Sequence, residues 1–417
     1  MLDWNATSRA LTAQLANPAD VFTLLFLVGG DVWKYSVRFS PVGWGFTPVV
    51  FSFGWVSYAF TTLKTAAGGE TLMPVSTAQN AVVMEGKSGH TRSNTSWVIG
   101  RLWRDYPVWR DRRVDGLLAD LKRDKGRCSW EQAGLIVGVY KAKKLKESRP
   151  VSVKGTGWVL GLFVTLLQLI LAVIPVSTQG EWGTLLVTIT GTLLAWWTAS
   201  LPQWQEEKFR ARTVRRNRDG SLPSVVITPG NGSQHAILVI LEEGSVNLED
   251  LATGQNGYRP RVIQGVPLIL LTAAWVVLLL VAIGIPSNRW YLIGIGAIGM
   301  LQNTWVASSP RRPAEVGLPL EFVEVVGSAD VACALAQLER TDEGRGVGKQ
   351  LVQIFFPGGL ETGHEDLFGA PGVVKDLSSR QWCRCQADDQ RAGRMQKDIG
   401  SGTSCWDTTL IERRVKV

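Results

Sequence analysis

The chain has 417 residues, 45% of them hydrophobic and 19% charged, with a formal net charge of +8. Averages of this kind suit two or three soluble domains, and a basic excess there would point to nucleic acid. The distribution excludes that reading, because the apolar residues are clumped and most basic ones lie between the clumps.

The first clump, VFTLLFLVGGDVWKYSV over Val21–Val37, holds nine Val, Leu or Phe residues. Together they favour insertion by roughly −4 kcal/mol, and Asp31 near the centre opposes it by about 2.5 to 3.5 kcal/mol. Lys34 can snorkel toward headgroups. It also stands three residues from Asp31, on the same helix face, where the two can pair. The segment is marginal alone and is expected to insert as a hairpin with the next run, Phe46–Leu63. Asp31 and Lys34 are the only charges inside an expected span. Intramembrane ionisable groups are functional candidates by default, and a self-neutralising pair explains these two equally well. The N-terminus lacks the basic start and cleavage site of a signal peptide.

Residues 67–155 read as an α+β segment. AVVME (81–85) is a short strand running into a turn at GKSGH, and SWVIGRLWRDY (96–106) is a helix closed by Pro107. VDGLLADLKR is a second short helix, and GLIVGVYKAKK (134–144) has the β-branched bias of a strand. The interleaved Trp and Arg of the first helix suit a membrane interface better than an RNA clamp.

Two further apolar pairs follow. Gly157–Val176 and Trp182–Leu201 form one hairpin within 156–202, and Gly265–Ile285 and Trp290–Ser308 form another within 263–309. Each run approaches the roughly 20 helical residues that a hydrocarbon core of about 30 Å requires. Between the pairs, QEEKFRARTVRRNR is expected to continue the preceding span as a basic helix. Its Lys208, Arg210, Arg212, Arg215, Arg216 and Arg218 lie directly beyond the span, where each charge attracts anionic lipid by about 1 kcal/mol. Setting topology is the simpler role for the same residues. SVVIT and HAILVIL flank PGNGSQ, a strand–turn–strand pattern within 203–262. GIGAIG (294–299) spells a dinucleotide fingerprint, which needs a strand before it. It lies inside a span instead, so Gly294, Gly296 and Gly299 are assigned to close helix packing. Gln168, Gln302 and Asn303 are assigned to interhelical hydrogen bonds.

In 310–368, LEFVEVVG reads as a strand and SADVACALAQLER as a helix, with Ser328 at its N-cap and Asp330 in its first turn. GRGVGKQ is a helix-linking turn, since Glu343 stands where a phosphate loop needs glycine and Gln350 replaces its Ser or Thr. Residues 369–417 are expected to be a disordered tail. CRC with Cys405 lacks zinc-site spacing. No catalytic set, cofactor motif or metal site emerges from the sequence.

The basic residues give the orientation. Residues 67–155 carry 17 Lys or Arg, 203–262 carry eight, and the chain after Pro310 carries 14, whereas the links STQGE and PSNR hold none and one. Six spans place every basic segment on one side, which the positive-inside rule makes cytoplasmic, with both termini there. The sequons at Asn5, Asn94 and Asn231 then escape glycosylation. The fold expected is an α-helical polytopic membrane protein of about six spans in three hairpins. The first hairpin falls in 1–66, and a small α+β cytoplasmic module is assembled from the loops and the C-terminal region.

Taken together, LLFLVGGDVWK, TPVVFSFGWVSYAF, GKSGHTRSNTSWVIGRLWRDY, PGNGSQHAILVI, GIGAIGMLQN and LEFVEVVG resemble a family of multi-span integral membrane proteins of filamentous fungi, over roughly residues 17–360. The resemblance implies a fungal source and a multi-pass fold. The family carries no assigned activity, so no site residues transfer. A non-enzymatic scaffold, sensor or partner-binding protein is the first expectation. A small-solute or proton-coupled transporter using Asp31 is the second, and a membrane enzyme with a cytoplasmic site the third. The partners expected are membrane lipids, anionic at the basic cluster, and a cytoplasmic protein; nucleic acid and cofactors are not expected.

Overall fold

The computed structural model describes residues 48–68, 81–125, 134–145, 155–216, 220–253 and 262–360, together with Thr12 and Phe368. In chain order come helix α1 (Trp55–Gly68), strands β1 (Val82–Glu85) and β2 (Thr91–Ser93), and helices α2 (Trp97–Arg104), α3 (Tyr106–Trp109) and α4 (Arg112–Lys125). Strand β3 (Leu135–Ala142) precedes helices α5 (Thr156–Gln179), α6 (Gly183–Ala199) and α7 (Pro202–Lys208). Strands β4 (Ser224–Thr228) and β5 (His235–Leu241) and helix α8 (Leu248–Thr253) follow. Helices α9 (Val262–Ile283) and α10 (Arg289–Ser308), strand β6 (Leu320–Ser328), and helices α11 (Val331–Arg340) and α12 (Val347–Phe355) complete the described chain. The elements fall into two units: Ser76–Lys146, Ala211–Thr253 and Leu318–Val417 make one, and Met1–Val75, Glu147–Arg210 and Gly254–Gly317 the other.

The first unit is an α+β module around one mixed sheet of order β2-β1-β4-β5-β3-β6. All neighbours are antiparallel except β3 and β5, which run parallel with Ile136 opposite His235 and Tyr140 opposite Val239. LIVGV and HAILVIL are nearly continuous apolar runs, as strands covered on both faces require. On one face Leu135, Val137, Val139, Ala236, Leu238 and Ile240 pack against Leu335, Leu338, Leu351 and Phe355 of α11 and α12. On the other, Ile136 and Val325 meet Val114, Leu117 and Leu121 of α4. Each fully buried Leu or Ile contributes about 1.5–3 kcal/mol, so the sheet centre supplies most of the module's cohesion. The cap of α11 differs from expectation. Ser328 still belongs to β6, and the Asp330 carboxylate accepts from the Cys333 amide at 2.9 Å, so Asp330 is the N-cap. GRGVGKQ ends the turn between α11 and α12 at Gly346, φ 86°, and its last four residues open α12.

The second unit is helical, and it exposes large apolar side chains while burying several polar ones. Phe163 and Ile170 of α5, Leu193 of α6, Leu280 of α9 and Leu301 of α10 are exposed by 56–72%. Thr165, Gln168, Thr188, Thr192, Thr272, Gln302 and Asn303 are buried instead. Among the described residues two helices, α5 over Thr156–Gln179 and α9 over Val266–Ile283, are long and apolar enough to cross a membrane; α6 is apolar but has 17 residues, a rise of about 25 Å. The hairpin tips meet at one end, where Asn288 Nδ2 donates to Glu181 at 2.7 Å, Ser287 Oγ also donates to Glu181, and Ile285 packs on Gly183. At the opposite end Arg311 lies over Gly157 and pairs with Glu315 at 3.2 Å.

Two expectations change here. Phe46–Leu63 is not one helix: residues 48–54 are non-helical, α1 starts only at Trp55, and Gly54 turns the chain at φ 86°. The basic stretch after α6 is not a continuing helix either. The helix breaks at Ser200–Leu201, resumes as α7, and ends at Lys208. Beyond it Thr213 bridges to Val246 as extended chain.

Replacing Asp330 with Ala removes the side-chain acceptor at the start of α11. Thermal or urea unfolding of that variant is expected to show a loss of about 1 kcal/mol.

Candidate functional site

In the helical unit the non-helical segment is gripped from all sides. Gln168, fully buried on α5, donates through Nε2 to the Phe51 carbonyl at 2.8 Å and to the Ile295 carbonyl at 2.7 Å. Asn303 on α10 donates through Nδ2 to the Val50 carbonyl at 3.1 Å and to Ser52 Oγ at 3.0 Å. An apolar interior offers no water to these carbonyls, so the two amides stand in for the missing backbone partners. Glycines provide the space. A Cβ at Gly299 would lie 1.9 Å from the Phe51 carbonyl oxygen, one at Gly161 2.4 Å from that of Pro48, and one at Gly191 or Gly296 within 2.5 Å of a Phe51 or Phe53 ring atom. Below the turn, Trp55 stacks on Trp275 at 4.7 Å between ring centroids.

The assigned packing glycines thus separate. Gly296 admits the Phe53 ring, Gly299 admits both the Phe51 carbonyl and the Gln168 side chain of the neighbouring α5, and a Cβ at Gly294 would meet nothing within 4 Å. Gln168 makes the expected interhelical hydrogen bond, to Ile295 of α10, and with Asn303 it also serves the non-helical backbone at Val50–Ser52. Pro48 and Gly54 were the signals, since proline disfavours helix in the residue before it and glycine admits a left-handed turn.

The module holds a second assembly, on the sheet face under α3. The β3 interior carries Gly138, where a Cβ would lie 2.6 Å from the Tyr106 hydroxyl, so the glycine lets that ring lie against the sheet. Tyr106 packs edge-on to Trp109, Tyr140 and His235 at 5.0–6.3 Å, and Tyr140 packs edge-on to Phe322. Arg110 bridges the cluster, 3.1 Å from His235 Nε2 and 2.6 Å from the Asp115 carboxylate. A guanidinium only donates, so His235 Nε2 accepts and the ring proton sits on Nδ1. Burial, then Arg110, pulls His235 down to about 4, and burial pushes Tyr140 up to about 12. Burial, reinforced by Tyr140, also drives Tyr106 far above the phenol range. Every shift favours the neutral form. Beneath α2, Arg101 and Asp105 form a buried pair at 2.6 Å.

The basic cluster disperses. Lys208 is buried, 3% exposed, and burial together with nearby Arg311 pulls its ammonium down to about 7, so it does not meet headgroups as expected. Arg212 forms a two-point pair with Asp250 at 2.6 and 2.9 Å, and Arg216 lies 3.4 Å from Glu243. Arg212 and Arg215 line an open cleft of about 870 Å³ in the module, with Glu85, His90 and Glu249. Its charges are mixed in sign, unlike an anion site. Arg210 ends the helical unit's middle segment. Asp31, Lys34, Arg218, Asn5, Cys383, Cys385, Cys405 and the tail expected to be disordered lie outside the described residues. Among the described residues no group of three or more His, Cys, Asp or Glu could hold a metal ion.

No protein-family model matches the chain, and no curated protein or solved structure matches it. The site therefore stands on its own geometry.

Two measurements check these assemblies. Gly299→Ala should cost about 1–3 kcal/mol of thermal stability, the usual range for forced overpacking, while Gly294→Ala, with open space at its Cβ, should leave the melting point unchanged or raised. For His235 the unfolded ring takes up a proton as pH falls below about 6.5, and the folded ring refuses it until about 4. The unfolded state binds more protons across that window, so stability falls there. His235→Asn should flatten that part of a stability–pH profile.

Proposed function

We propose that this chain is a multi-pass membrane protein that displays a non-enzymatic, partner-binding α+β module on the cytoplasmic side, and that it belongs with the multi-span fungal proteins its motifs resemble. One observation carries the membrane part. Four helices expose large apolar side chains while Gln168, Thr188, Thr272, Gln302 and Asn303 are buried among them, and that apolar exposure is one that water would penalise and lipid accommodates. On this reading α5–α6 and α9–α10 are two transmembrane hairpins.

The sheet supports the topology independently of charge counts. Strand β3 precedes the first hairpin, β4 and β5 lie between the two, and β6 follows the second, yet all four pair in one sheet. Strands on opposite sides of a bilayer cannot pair, so each hairpin crosses an even number of times. The basic segments then share the module's side, which the positive-inside rule assigns to the cytoplasm. A binding role suits the module better than catalysis. His235 and Tyr140 are held neutral among packed rings, and the open cleft is lined by residues of both charge signs.

Transport is the second reading. Non-helical backbone buried inside a helical unit is how many transporters build a substrate site, and the Pro48–Phe53 segment has that form.

Reporters inserted between Arg216 and Gly220 and fused after Val417 are expected to be protected together in sealed vesicles, and opposite sides would refute the topology. Proteoliposome flux separates the two readings: uptake abolished by Gln168→Leu in a folded protein would favour transport over binding.

A further inference from the structure

We infer that residues 48–68 form a re-entrant hairpin, which dips to the middle of the helical unit at Gly54 and leaves through α1 on the side where it entered. The inference rests on the membrane reading above and changes the expected path of the chain ahead of α1.

The two ends of the helical unit are fixed by contacts already described. Glu181, Ser287 and Asn288 mark the tip end, and Gly157, Arg311 and Glu315 mark the opposite, basic end. The descending limb starts near the basic end. The Pro48 carbonyl faces Gly161, early in α5, and Phe51 has reached Gln168, about 10 Å further along at 1.5 Å per residue. Phe53 then packs on Gly296, in the tip-side half of α10. At Gly54 the direction reverses. Trp55 stacks on Trp275 in mid-α9, and the Ala59 carbonyl accepts from Thr272 Oγ1 at 3.3 Å, one turn nearer the basic end. Tyr58 lies 6.4 Å from Trp204, which follows the basic end of α6. Both limbs open toward the basic end.

The lengths agree with this path. Helix α1 has 14 residues, a rise of about 21 Å, short of the roughly 30 Å a hydrocarbon core demands. Irregular backbone at membrane depth survives only where protein covers it. The cover here is specific: Asn303 and Gln168 take the Val50 and Phe51 carbonyls, and Gly161, Gly191, Gly296 and Gly299 let the chain lie against three helices. A crossing Phe46–Leu63 would put the preceding link around Ser40 on the tip side. A re-entrant hairpin puts it on the module's side.

Cysteine accessibility tests this in the full-length chain. With Cys128, Cys383, Cys385 and Cys405 replaced and buried Cys333 retained, single cysteines are introduced as Ser40→Cys, Thr178→Cys and Asn231→Cys. A membrane-impermeant maleimide is applied to sealed vesicles of known orientation. S40C should label from the same side as N231C and opposite to T178C. Labelling of S40C together with T178C would overturn the hairpin and leave the membrane reading intact. Labelling of T178C and N231C from one side would overturn both.

Discussion

Strand β3 lies between β5 and β6, and those three strands come from stretches of chain separated by two long apolar hairpins. That pairing is the constraint on which the rest of the structure hangs. A sheet joined by backbone hydrogen bonds closes only if its strands reach the same place. The apolar helices between them must therefore go out and come back in pairs. The core then seals the arrangement, because Leu135, Val137 and Val139 are buried only when β5, α11 and α12 are all present.

Inside the helical unit the governing problem is the unsatisfied carbonyl. Regular helices satisfy their own backbone, so most of the unit needs no polar side chain. The Pro48–Phe53 stretch does need them, and the buried amides Gln168 and Asn303 are placed where its carbonyls fall. Their burial would otherwise be costly, and it identifies them as bracing groups. The module solves a related problem by different means. Arg110 reaches from His235, which lies against the Tyr106 ring, to the exposed carboxylate of Asp115, and desolvation holds the histidine neutral.

Several elements were legible in the sequence because their signals are local. GLIVGVYKAKK and HAILVIL carry the β-branched runs of buried strands, and PGNGSQ carries the turn between β4 and β5. The helix over 97–104 shows in its apolar spacing and stops before Pro107. The two glycine motifs fall where their neighbours suggest: GIGAIG lies within a helix, and GRGVGKQ runs from an interhelical turn into the start of α12. The expectations that failed were those in which one pattern serves two structures. VVFSFGWVSYAF is equally apolar as a span or as a buried turn followed by a half-length helix. EEKFRARTVRRNR looks like a basic helix until Arg212 finds Asp250, 38 residues on.

The sequence by itself determined where the four long apolar helices after residue 155 and the strands lie, where basic charge collects, and that PGNGSQ turns between two strands, because these depend on residues within a few positions of one another. Only the tertiary structure decided that three separated segments share one sheet, that Lys208 is buried while Arg212 and Arg215 line a cleft, and that Gln168 and Asn303 hold backbone in place of a helix partner. Those outcomes depend on contacts between residues far apart in the chain. Composition and periodicity carry no record of which carbonyl a buried amide will meet.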